Sequence, residues 1–163
     1  MNELWLSDPR VQRAIQVVWT EARLLDDKDY LAWQEMYTPE AYYVIPIDPD
    51  TTDYAASLNM VYDDERMRRM RVERMTQGYS QSAVAAAATV RTVSRFSVES
   101  VDDQQVVLRS AQIVNSYKRQ QFDTVGAELT HTIALADDGD RIAYKVVRLL
   151  NSTDAVSTAG FLL

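Results

Sequence analysis

The residues able to do chemistry in this chain are few. There is one histidine, His131, and no cysteine. His131 alternates with Leu129, Ile133 and Leu135, and so shares an apolar strand face with them. Lys145 alternates in the same way with Ala143, Val147 and Leu149. A cation on such a face needs a counter-charge or a route to water. An imidazole there is either a hydrogen-bonded core group or the acid–base group of a pocket. The two lie on neighbouring strands of an expected hairpin, which makes them candidate lining for one cavity. Trp33 and Tyr42 join them as candidates, from an aromatic cluster that also contains Tyr37 and Tyr43. Core packing and a ligand pocket both stay open for this set.

Several chemistries are excluded by composition. Without cysteine there is no disulfide, zinc–thiolate site or cysteine-held iron–sulfur cluster. With one histidine, neither a two-histidine, one-carboxylate iron site nor the ligand set of a Rieske cluster can be built within the chain. No G-x-S-x-G elbow, phosphate loop or dinucleotide fingerprint occurs among only four glycines. The formal charge of −7 and pI near 4.7 argue against a polyanionic partner, so no nucleic acid is expected. The start has no basic segment followed by an apolar core, and no apolar run approaches the roughly 18 residues that span a bilayer. The expectation is a cytoplasmic protein with no membrane partner.

One segment runs against the acidic composition. "VYDDERMRRMRVERM" places Arg66, Arg68, Arg69, Arg71 and Arg74 within nine positions. Asp63 and Asp64 stand where a helix cap belongs, at the positive end of its dipole. With Asp63, Asp64, Glu65 and Glu73 counted against the five arginines, the segment is nearly balanced, too much so for a phosphate track. An advance of about 100° per residue puts Met67, Met70, Arg71, Arg74 and Met75 on one side. Two readings follow: a solvated amphipathic helix, or a helix whose Arg71 and Arg74 meet carboxylates inside the fold or across an interface. On the second reading, loss of Arg71 or Arg74 weakens packing or assembly far more than loss of Arg68.

The elements that must position these groups follow from local patterns. Ser7-Asp8-Pro9 starts a helix, continued by Val11, Ala14, Ile15, Val18, Ala22 and Leu25. Asp26 to Asp29 break it and cap a shorter helix carrying Leu31, Trp33, Met36 and Tyr37, ended by Thr38-Pro39. "AYYVIPI" (41–47) is a strand with Pro46 near its end, and "SLNMVY" (57–62) is a short one. Beyond Ser80 come long strands, with turns at Asp102-Asp103 and Asp137-Asp138-Gly139. Helices first and antiparallel strands later predict one α+β domain over residues 1–163.

"EARLLDDKDYLAWQEMYTPEAYYVIP" (21–46) resembles the opening of the small (beta) subunits of aromatic-ring-hydroxylating dioxygenases. Tyr62, Asp63, Asp64, Arg66, Arg71, Val72 and Arg74 match that family's Tyr-Asp-Asp, Arg, Arg-Val-x-Arg pattern. The end, "DDGDRIAYKVVRLLNSTDAVSTAGFLL", matches its last strand and apolar tail. Phe96 and Glu99 stand where members carry a histidine and an asparagine, which leaves the substrate subgroup open. The resemblance implies a cone-shaped fold like that of ketosteroid isomerases, scytalone dehydratases and nuclear transport factors (cystatin-like), with helices packed in a strongly curved, largely antiparallel sheet. It also implies a metal-free, non-catalytic subunit with no catalytic or cofactor-binding residue of its own. The Rieske 2Fe-2S cluster and the mononuclear iron would belong to a large (alpha) subunit, in a hexamer of three large and three small chains. In that setting Asp63, Asp64, Arg66, Arg71 and Arg74 are candidate structural or interface residues. The alternative is a stand-alone cone-fold isomerase or dehydratase, or a small-ligand binding module. Laying the isomerase strand over "AYYVIP" puts Ile45 where its aspartate base would be, and dehydratase chemistry needs two histidines.

Overall fold

A computed structural model describes residues 7–77, 87–152 and 162–163. Helix α1 (Pro9–Asp26) starts as its sequence dictates: the Asp8 carboxylate accepts from Arg10 N–H at 2.9 Å, and Pro9 takes the first turn. Its buried face is Val11, Ala14, Val18, Glu21 and Leu25, spaced three and four apart, with Val17 beside them. Ile15 and Ala22 flank that face, half-buried.

The second helix is shorter than the pattern predicts. Helix α2 (Tyr30–Glu35), capped by Asp29, stops before Tyr37, which instead opens strand β1 (Tyr37–Pro46). Thr38-Pro39 therefore lies inside a strand and does not end a helix. The proline is tolerated because β1 pairs with β6 at Tyr37 and again from Tyr42, with an irregularity between. Pro46 ends the strand at a second irregularity.

Strand β2 (Asn59–Asp63) leads into helix α3 (Glu65–Thr76), capped by Asp64, whose carboxylate accepts from Met67 N–H. Four longer strands complete the sheet: β3 (Ala88–Val101), β4 (Gln105–Lys118), β5 (Gln121–Ala134) and β6 (Arg141–Leu149). The order is β2-β1-β6-β5-β4-β3, with β1 and β6 parallel and every other pair antiparallel. Along β4 the buried residues are Val106, Leu108, Ser110, Gln112, Val114 and Ser116, every second position of the strand. That inner face holds α1. A bulge in β3 at Arg95, in the left-handed conformation, bends the strand, and Trp19 of α1 donates to Val93 O beside it at 2.9 Å. The result is an α+β fold with one core between the sheet and α1.

Candidate functional site

Glu21 is the centre of the interior. It occupies the middle of α1's buried face, and each of its carboxylate oxygens accepts twice. Oε1 lies 2.9 Å from His131 Nε2 and 3.0 Å from Lys145 Nζ. Oε2 accepts from Trp33 Nε1 at 2.9 Å and from the Tyr37 hydroxyl at 2.6 Å. The antiparallel register sets His131 directly beside Lys145, so the period of the two strands brings both side chains to one spot. Trp33 meets Tyr37 and Tyr43 edge-on, at centroid distances of 5.0 and 5.7 Å.

The electrostatics follow from this arrangement. Burial alone would raise the Glu21 pKa, but the Lys145 charge and the His131 and Tyr37 hydrogen bonds outweigh it and hold the carboxyl well below its usual range. Burial pushes His131 down, against the pull of Glu21, so the imidazole is neutral. A neutral ring facing an ionised carboxylate donates from Nε2, which leaves Nδ1 as a buried acceptor without a hydrogen-bond partner among the described residues. Burial lowers Lys145 as well, with Glu21 opposing the shift. A carboxylate with four donors is a poor proton acceptor, and Glu21 is the only acidic side chain of this cluster among the described residues.

Trp33, His131 and Lys145 are therefore brought together, while Tyr42 is not. It points to the opposite face of β1, where it stacks on Tyr62 at 4.8 Å and leans on Tyr144 at 6.1 Å. Tyr43 is the inward residue, 5.5 Å from Lys145 Nζ. Sequence reasoning missed Glu21, although a carboxylate at the exact centre of an apolar stripe is a usable signal. It also missed Arg91 of β3, whose guanidinium is paired with Asp26 at 2.6 Å and donates to Leu162 O.

Helix α3 corrects the expected ranking of its arginines. The buried positions are Arg68 and Val72; the Met67–Met70–Arg74 side faces outward, and Met67 and Met70 are about 40% exposed. The phase had been set by the methionines, yet the core is entered by a guanidinium. Arg68 donates to the main-chain carbonyls of Ala41, Thr38 (3.2 Å) and Asp63 (3.4 Å), and lies 4.8 Å over the Tyr37 ring. It supplies donors along the stretch of β1 where pairing to β6 is interrupted. Arg71 forms a two-pronged bond to buried Asp63, at 2.6 and 3.1 Å. Arg69 bridges Glu65 and Glu35 on the surface. Among the described residues Arg66 donates to Met70 Sδ, and Arg74 has no hydrogen-bond or ion-pair partner. Asp63, Arg66, Met67, Met70, Arg71 and Arg74 line a groove of about 160 Å³.

Among the described residues no group of three histidine, cysteine or acidic side chains is placed to hold a metal, and no helix is long and apolar enough to cross a membrane. Comparison with known proteins gives a consistent result. A family model described as the ring hydroxylating beta subunit matches residues 20–154. The beta subunit of benzoate 1,2-dioxygenase from Acinetobacter baylyi is 26% identical over 157 residues, 93% of each chain. The solved beta subunit of benzoate 1,2-dioxygenase from Burkholderia mallei superposes with a TM-score of 0.76 at 23% identity, covering 95% of this chain and 97% of the other. An NTF2-like protein with a cystatin-like fold from Novosphingobium aromaticivorans superposes at 0.62 with 12% identity, covering 92% and 86%.

Proposed function

The chain belongs to the ring hydroxylating beta subunit family, and from that premise we propose that it is the non-catalytic small subunit of a multicomponent aromatic-ring dioxygenase. Its task is to trimerise and to seat large (alpha) subunits in a hexamer of three large and three small chains in the cytoplasm. The observation that carries this reading beside family membership is the state of Glu21: four donors satisfy the carboxylate at the centre of the core, where a cone-fold enzyme would need a free base.

The chain's residues do not fit either iron group of such an oxygenase. There is no cysteine for a cluster, and the single histidine is buried against Glu21 and Lys145. The Rieske cluster and the mononuclear iron accordingly reside in the large subunit. The outward groove on α3 is the contact we assign to assembly, because Arg66 and Arg74 present charge that no carboxylate among the described residues pairs, and two methionines give adaptable apolar area. The relatives' substrate, benzoate, makes aromatic acids the class to try first.

The test is to purify the chain alone and with its candidate large subunit, then measure mass, iron content and turnover of benzoate. The expected result is an iron-free small chain, a mixed hexamer, and turnover that requires the large subunit. Turnover of a small carbonyl or hydroxy compound by the isolated chain would overturn the reading.

A further inference from the structure

Three buried polar side chains, one from each of three strands, converge on the main chain of Leu162 and Leu163. Lys145 of β6 donates from Nζ to Leu163 O at 2.9 Å. The Leu163 N–H donates to the Tyr43 hydroxyl of β1 at 3.1 Å. The Arg91 guanidinium of β3 donates to Leu162 O. All three side chains are more than nine-tenths buried, as are both leucines, which join the apolar core.

Each of the three groups is held in place by a partner other than the leucines. Lys145 is fixed by Glu21 at 3.0 Å. Arg91 is fixed by Asp26, which binds its guanidinium at 2.6 Å and its main-chain N–H at 2.8 Å. Tyr43 is wedged against the Trp33 edge. The recognition is of main-chain atoms: two main-chain oxygens accept and one amide donates, while the leucine side chains fill apolar space. Main-chain hydrogen bonds joined to apolar pockets are how proteins bind peptide segments generally.

We infer that the interior of the fold carries a peptide-binding site, formed by Tyr43, Arg91 and Lys145, in which Leu162–Leu163 is a tethered ligand. When those two residues are removed, the site takes a free apolar dipeptide in their place. The inference is independent of the subunit reading, since it rests on contacts within one chain.

The probe is N-acetyl-leucyl-leucine, with N-acetyl-glycyl-glycine as control, added to the intact chain and to a chain lacking residues 162 and 163. Calorimetry should show binding of the leucyl dipeptide to the shortened chain alone, and its Tm should rise with dipeptide concentration as mass action requires. Lys145→Met in the shortened chain should weaken binding about tenfold or more. A folded shortened chain that ignores the dipeptide, or an intact chain that binds it equally well, overturns the inference. Should the shortened chain not fold, amide exchange in the intact protein decides. The Leu163 N–H should be protected, and Tyr43→Phe should speed its exchange about tenfold while leaving Leu108 in β4 unchanged. A Leu163 amide that exchanges freely, or one insensitive to Tyr43→Phe, would refute the site.

Discussion

The charged cluster around Glu21 and the arginines of α3 are built from the same kinds of groups, yet they differ in how completely those groups are paired. Inside, four donors from α2, β1, β5 and β6 converge on one carboxylate, and no acceptor position on it is left over. On α3 the pairing is graded. Arg68 is consumed by main-chain carbonyls, Arg71 by Asp63, Arg69 by surface acids, and Arg66 and Arg74 face outward with no ion-pair partner among the described residues. Buried charges must be satisfied within the fold, so the interior reports on stability. Charges left unsatisfied at a groove report on what the protein meets.

The contrast breaks first if Glu21 is expendable. Glu21→Ala strips Lys145, Trp33, Tyr37 and His131 of their shared acceptor in a site without water access, and should cost about 3–5 kcal/mol in urea unfolding. A loss under about 1 kcal/mol would mean the cluster is not buried as described. Arg68→Met comes next, at about 2–3 kcal/mol, because it leaves the Ala41 and Thr38 carbonyls unpaired while roughly keeping the side chain's volume. Arg71→Ala should follow at a similar or smaller cost, since Arg71 is partly exposed but leaves Asp63 buried without its partner.

That order reverses the expectation for Arg68, and the reason shows what a sequence makes legible. The long strands, their turns and the α1 stripe are periodic, so their faces can be read directly; His131 and Lys145 fall on the same inner face because period two is rigid. Helix α3 has no such clarity. Its methionines and arginines both alternate every three to four residues, so two opposite faces carry the same pattern, and the choice between them is made by unpaired carbonyls in β1 far away in sequence. Tyr37 and Pro39 were misplaced for a related reason: a strand irregularity, invisible locally, removes the need for the proline's N–H. Glu21 was readable as a carboxylate within an apolar stripe, but its four partners come from elements spread over 124 positions, Glu21 to Lys145, which no local pattern joins.

Acid sharpens the interior half of the comparison. Burial, helped by the Lys145 charge and opposed by Glu21, lowers the His131 pKa below its ordinary value near 6.5, so the unfolded chain takes up a proton there that the folded chain refuses. Stability contributed by the neutral imidazole is present above pH 6.5 and is lost as pH falls through the folded value. The slope approaches about 1.4 kcal/mol per pH unit for the one proton. His131→Gln should flatten the unfolding free energy as pH falls below about 6.5, whatever it does to the absolute stability. Below the carboxylate range Glu21 adds a second loss of the same sign, because its pKa is depressed too. An unchanged slope in His131→Gln would place the acid sensitivity elsewhere.

The smallest effect on stability is expected where the effect on assembly is largest. Arg66→Ala and Arg74→Ala remove exposed side chains with no carboxylate partner among the described residues, so unfolding should move by no more than about 0.5 kcal/mol. If the groove receives a carboxylate of the large subunit, the same pair, made as charge reversals to glutamate, should slow association and weaken the complex by about tenfold or more. The salt dependence should invert as well, because glutamates facing a carboxylate repel it and added salt screens that repulsion. Arg69→Glu is the internal control: Arg69 is exposed and basic as well, but it is already engaged by Glu65 and Glu35 and lies outside the groove. A basic helix acting only through overall charge would respond alike at all three positions. A groove that fits a particular acidic partner responds at Arg66 and Arg74, and leaves Arg69 near the native affinity.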